Sequence, residues 1–274
     1  MNQTLTKTIG NLINFISYPL PNYAAKQAVK IFSTPRKGKL NIEETNYLKT
    51  ASQETIIYED VAIKTYSWSG TKSTILLVHG WESNAFRWKD LIEILKIEDY
   101  NIIALDAPAH GNSGSKIFNA VLYSECINMV IKQFKPSIVI GHSIGGTASA
   151  LAINNHKLSP DKLILLGAPS NFDEVIDNYV KIMGYNKRVI KAINEYYLKY
   201  FGYYPEFYTV ENFIKHITAE GLIIHDKKDR IISYKDALHI SKHYKNSKLI
   251  KTVGFGHGLK NDVVYNHILQ FLND

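Results

Sequence analysis

The sequence predicts an α/β fold: a mostly parallel eight-stranded sheet flanked by helices, with a helical, aromatic-rich cap insertion late in the chain. Three observations predict it. From Glu54 onward, short β-branched runs alternate with longer amphipathic stretches, the pattern of strands joined by crossover helices. Runs such as Ile75-Leu76-Leu77-Val78 and Ser137-Ile138-Val139-Ile140 are continuously apolar, as parallel strands covered on both faces require. The 274 residues, 45% hydrophobic and 21% charged, suffice for one large core and exclude disordered, collagen-like and coiled-coil classes.

Residues 1–50 read as a helical arm and 51–274 as the main domain. Leu5, Ile9, Leu12, Ile13 and Ile16, then Ala24, Ala28, Val29 and Phe32, recur at helical spacing broken by Pro19 and Pro21. Two short helices packing on the body are expected in preference to a membrane-surface anchor. A signal peptide is disfavoured, because Asn11, Asn14, Ser17 and Pro19 interrupt the apolar stretch and no small-x-small cleavage site follows. No run approaches the roughly 18 apolar residues that span a bilayer, so no integral membrane segment is expected. Thr34 to Lys39 reads as an exposed basic turn.

Strands are expected at 55–58, 61–67, 74–79, 101–106, 137–141, 161–167, 220–225 and 248–253. The first two, separated only by Glu59-Asp60, form an antiparallel edge hairpin. Helices are expected near 86–96, 119–134, 145–156, 233–244 and 261–272. The interval from 167 to 220 is too long for one crossover and reads as an insertion of about 170–216. Residues 171–216 carry twelve aromatics in 46 positions, against 12% over the chain. Rings that bury large apolar area suit a lid over an apolar pocket.

Net charge is +7, from 32 Lys and Arg against 25 Asp and Glu, but the cations are scattered and no nucleic-acid motif accompanies them. Solubility is the expected use, with no nucleic-acid partner. The single cysteine, Cys126, excludes an internal disulfide and a Cys-rich metal site and permits a reducing cytoplasm, the expected location. Cys126 itself sits in a helical pattern and reads as a buried small hydrophobe. His239 and His243 have i, i+4 spacing, but neither the intervening residues nor a third ligand supports zinc. No metal and no cofactor are expected.

The chemistry centres on Gly141-His142-Ser143-Ile144-Gly145, a Gly-x-Ser-x-Gly between a buried-strand pattern and an Ala-rich helical stretch. A strand that turns at once into a helix leaves the intervening serine strained and exposed, and flanking glycines keep Cβ atoms out of the close strand–helix packing. The turn also aims the N–H of Ile144 outward from a helix start, where the dipole favours negative charge. A serine hydroxyl needs a neighbouring imidazole, oriented in turn by a carboxylate, to act as a nucleophile.

From about Glu54 onward the chain resembles the α/β-hydrolase superfamily. His79-Gly80-Trp81 is similar to its oxyanion loop, which implies the Trp81 and Ile144 backbone N–H groups as the oxyanion hole. Asp106-Ala107-Pro108-Ala109-His110-Gly111-Asn112-Ser113 resembles its Asp-x-Pro-Gly-His-Gly-x-Ser loop with Ala109 in place of glycine; Asp106 reads as structural. The order Ser, acid, His implies Ser143, Asp229 within His225-Asp226-Lys227-Lys228-Asp229, and His257 within Gly254-Phe255-Gly256-His257-Gly258. Asp226 is the alternative acid. His142 reads as a packing and loop-ordering residue, and His79 and His110 as loop hydrogen-bonders.

The resemblance implies a serine hydrolase, with a small or medium apolar carboxylic ester as the expected small-molecule substrate. Lysophospholipids, monoacylglycerols, thioesters, peptides and carbon–carbon bonds stay open, as does a catalytically silent ligand-binding relative. Oligomeric state is not legible.

Overall fold

A computed structural model describes residues 3–274. In chain order the elements are α1 (Gln3–Ile16), α2 (Pro21–Ser33), α3 (Ile42–Leu48), β1 (Ser52–Tyr58), β2 (Val61–Trp68), β3 (Thr74–Val78), α4 (Lys89–Ile97), β4 (Asn101–Leu105), α5 (Ala120–Phe134) and β5 (Ile138–His142). There follow α6 (Ile144–His156), β6 (Lys162–Leu166), α7 (Phe172–Met183), α8 (Lys187–Phe201), α9 (Val210–Phe213), β7 (Glu220–Asp226), α10 (Tyr234–His243), β8 (Ser247–Thr252) and α11 (Asp262–Asn273). The chain divides into two compact units, residues 35–170 with 213–274 and residues 1–34 with 171–212.

The larger unit is built on an eight-stranded sheet in the order β1-β2-β4-β3-β5-β6-β7-β8. It is mixed: β1/β2 and β2/β4 pair antiparallel, and the pairs from β4/β3 to β7/β8 are parallel. The central strands are apolar on both faces, with β5 wholly buried, and their side chains merge with those of α4 and α11 into one core. The order reverses around β3: the chain leaves it for β4 on one side and returns to β5 on the other. A crevice opens at the carboxyl ends of strands where winding reverses, which places the loops after β3 and β5 side by side.

The smaller unit has its own core, in which Ile13, Ala24, Ala28 and Val29 of α1 and α2 pack with Ile176, Val180, Val189 and Ile193 of α7 and α8. The arm helices thus find their partners in the inserted segment. The approach is close: a Cβ on Gly10 would lie 1.8 Å from the Met183 carbonyl oxygen. Asn14 clamps the α7–α8 turn, donating to the Gly184 carbonyl (2.8 Å) and accepting from the Asn186 N–H (2.8 Å). Among the described residues no helix is long and apolar enough to cross a membrane.

Candidate active site

Ser143 lies between β5 and α6 with φ 53° and ψ −134°, a conformation that L-residues avoid. The strain is held by packing and hydrogen bonds. A Cβ on Gly141 would sit 2.4 Å from Gly146 Cα, and one on Gly145 would sit 2.3 Å from the His79 carbonyl oxygen, so strand and helix close around the serine only because both positions are glycine. The Ser143 N–H donates to the Leu166 carbonyl of β6 (2.8 Å), tying the turn to the sheet.

The loop after β8 brings His257 over this turn; Gly254 (φ 96°) and Gly256 (φ 62°) supply the left-handed backbone it needs. His257 Nε2 accepts from Ser143 Oγ at 3.0 Å, and its Nδ1–H donates to Asp229 Oδ2 at 2.7 Å. Asp229, in the loop after β7, has no exposed side-chain surface. Burial alone would raise its pKa. Hydrogen bonds from His225, His257 and the Ile231 and Ile232 N–H groups outweigh that and hold it well below the usual carboxylate range. The three side chains therefore form one relay, able to move a proton from Ser143 Oγ onto a neutral imidazole held in a single tautomer.

Asp226 does something else. It accepts from the Phe255 and Lys228 N–H groups (2.9 and 2.8 Å) and from the Thr252 hydroxyl (3.0 Å), and so pins the His257 loop onto β7. The loop is held from two further directions. His142 Nε2–H donates to the His257 carbonyl (2.8 Å), and Arg87 Nη2–H donates to the Gly258 carbonyl (2.8 Å). Burial, with Arg87 and His257 close by, keeps His142 well below the ordinary histidine pKa, and burial lowers the Arg87 guanidinium to about 10. His225 Nε2 lies 3.1 Å from the Ile232 carbonyl oxygen and 3.4 Å from Asp229 Oδ2, the same carboxylate oxygen that His257 engages.

On the other flank, a Cβ on Gly80 would be 2.8 Å from Ser143 Cβ, so the His79-Gly80-Trp81 backbone runs against the serine. Among the described residues neither the Trp81 nor the Ile144 N–H has an acceptor. Two neutral histidines set this loop. His79 Nε2 accepts from the Ala107 N–H (2.9 Å) while its Nδ1–H donates to the Gly80 carbonyl (2.7 Å), and His110 Nε2 accepts from the Glu82 N–H (3.0 Å). Asp106 accepts from Tyr66, Ala85 and Asn112, fixing the turn behind them, and Ala109 takes the left-handed conformation (φ 67°).

Sequence reasoning did not find Arg87 or the contact of His225 with Asp229. Arg87 looks like any cation in an amphipathic stretch, and its partner is 171 positions away. His225 had a signal: it precedes Asp229 by four residues in the loop already singled out. His239 and His243 pair with each other, rings 4.7 Å apart, and His243 Nδ1–H donates to the His239 carbonyl.

Residues 69–196 match the model of the serine aminopeptidase S33 family. The sheet order and the match agree with the strand–serine–helix turn. The chain has the α/β-hydrolase fold. The α/β hydrolases it is similar to include an uncharacterized hydrolase, YugF, of Bacillus subtilis, 33% identical over 100 residues, which are 35% of this chain and 36% of that protein. The chain thus spans about a third of that relative. A second is the superfamily protein YisY of the same bacterium, 22% identical over 83% of this chain and 99% of its own. Among solved α/β hydrolases, the esterase EaEST from Exiguobacterium antarcticum superposes with a TM-score of 0.65 at 20% identity, covering 81% of this chain and all of that one.

Proposed function

We propose that this chain is a serine hydrolase that cleaves a small or medium apolar carboxylic ester through an acyl-enzyme. One observation carries the reading: the unbroken run Ser143 Oγ, His257, Asp229, with distances of 3.0 and 2.7 Å. Ser143 Oγ attacks the ester carbonyl carbon as its proton passes to His257 Nε2. The carbonyl oxygen, now an anion, takes hydrogen bonds from the Trp81 and Ile144 N–H groups. The carbon–oxygen bond to the alcohol breaks, and His257 gives its proton to the leaving alkoxide. Water then attacks the acyl-serine by the same route, releasing the acid and restoring Ser143. Asp229 stays ionised throughout and holds the imidazolium as it forms.

The apolar preference rests on the twelve aromatics of residues 171–216, and a cytoplasmic site of action on the single free cysteine. The test is labelling with a fluorophosphonate beside Ser143→Ala, then hydrolysis of p-nitrophenyl esters of increasing acyl length. Labelling lost in the variant is the expected result. A folded wild-type protein that takes no label overturns the reading.

A further inference from the structure

The helix α1 is apolar on two sides. One side, with Ile13, faces the core of the smaller unit. The opposite side presents Leu5, Leu12 and Phe15 at i, i+7 and i+10 to solvent, and the stripe continues through Tyr18, Leu20 and Tyr23 at the turn into α2. Each of these six is more than half exposed, Phe15 by 74%. Scattered exposed hydrophobes need no explanation, but a row of large ones along a single helix and its turn marks a surface that something covers.

The charge around the stripe says what. Residues 1–34, the part of the smaller unit that carries the stripe, hold three Lys and no Asp or Glu. On α2, Tyr23, Lys26 and Lys30 share an exposed face at i, i+3 and i+7. The Arg188 guanidinium lies over the Tyr18 ring, 4.9 Å from its centre. A second copy meeting this face by two-fold symmetry would set these cations against their own kind, with no acid on the hairpin to offset them. An anionic surface with an apolar layer beneath it satisfies both features. The 14 residues of α1 span about 21 Å, long enough to lie along such a surface. Tyr18 and Tyr23 have the amphipathic rings that settle at headgroup depth.

We propose that the α1–α2 hairpin docks on an anionic lipid bilayer, with Leu12 and Phe15 entering the acyl boundary and Lys26, Lys30 and Arg188 meeting lipid phosphates. This is interfacial binding, not spanning, and it loosens as salt screens the cations. It stands apart from the hydrolase reading, because its readout is binding.

The experiment is flotation of the 274-residue chain with phosphatidylcholine vesicles that do or do not contain about one-third phosphatidylglycerol. The expected result is flotation with the anionic vesicles only. Leu12→Ser with Phe15→Ser lowers the partition by about 30-fold or more, as each side chain withheld from the acyl boundary loses its transfer free energy. The melting temperature stays unchanged, since both side chains are exposed. If that variant melts early, Lys26→Glu with Lys30→Glu carries the test and must abolish the preference for the anionic vesicles. No flotation of the wild type, equal flotation with neutral vesicles, or flotation that both variants retain overturns the proposal. So does a concentration-dependent dimer that Phe15→Ser disperses, which would assign the stripe to a second copy.

Discussion

Mild acid should unfold this chain far sooner than its carboxylates alone would predict. His79 and His142 are buried and held neutral: burial, with His110 and Arg87 nearby, pushes His79 well below its ordinary pKa, and burial, Arg87 and His257 do the same to His142 against the pull of Asp229. A histidine whose folded pKa is depressed binds its proton first in the unfolded chain, so stability is present above the unfolded pKa near 6.5 and falls as pH drops below it. While the folded form stays neutral, each group costs RT ln(1 + 10^(6.5 − pH)), which is about 0.2 kcal/mol at pH 7 and about 1.4 kcal/mol at pH 5.5. The pair therefore removes about 2.5 kcal/mol across that interval, a large part of the roughly 5–15 kcal/mol that holds a domain folded. His110, whose pKa burial also lowers, adds in the same direction. Asp229 acts in the same direction, since its depressed pKa also favours protonation of the unfolded chain, but only once the pH falls into the ordinary carboxylate range, below the interval considered. Urea unfolding at the two pH values measures the difference. Equal unfolding free energies, or imidazole resonances of His79 and His142 that titrate near 6.5 in the folded protein, would refute the reasoning.

Asp229→Asn should leave the fold intact, because an amide oxygen still accepts the Ile231 and Ile232 N–H groups, yet present Nδ2–H donors to His257 Nδ1. The imidazole then carries its proton on Nε2 and no longer accepts from Ser143, so kcat on a p-nitrophenyl ester falls by about 10³–10⁴-fold; a loss under tenfold contradicts the relay. Gly145→Ala should cost about 1–3 kcal/mol in a urea melt, since its Cβ meets main-chain oxygen, whereas Gly258→Ala, whose Cβ meets open space, should be nearly neutral.

The sheet was legible because its strands are the apolar runs: every expected strand lies within three residues of the observed one at both ends. Residues 42–48 were not read as helical although a signal was present. Asn41 and Glu44 form a reciprocal capping box that opens α3. The residues of the relay were legible for a different reason. Ser143 and His257 sit in short motifs whose glycines are demanded by local backbone geometry, so there the chemistry and the turn are written in the same few positions, whereas Asp229 lies in a loop without glycine and was placed by its order between the serine and the histidine. What holds those motifs together was not legible. Arg87 to Gly258, Asn14 to Gly184 and His142 to His257 are contacts across more than a hundred residues, and no local pattern distinguishes a buried donor from an exposed one. The partners of the arm were missed in the same way: nothing in residues 5–32 says that the face carrying Ile13 meets α7 and α8.

The acid-sensitive histidines and the loops around Ser143 are one device. His79 Nε2 and His110 Nε2 are acceptors for the Ala107 and Glu82 N–H groups. A proton on either nitrogen replaces an acceptor with a donor and turns each hydrogen bond into a clash of two N–H groups. Those bonds fix the backbone on both sides of Trp81, and the His142 bond to the His257 carbonyl fixes the imidazole over Ser143. Keeping these rings neutral therefore does two things at once, setting the loops and making the fold intolerant of acid. The burial that depresses the pKa values of His79 and His110 is what lets these two neutral imidazoles serve as fixed acceptors at neutral pH. A site built this way loses its geometry and its stability over the same pH interval, rather than surviving as a folded but inactive protein.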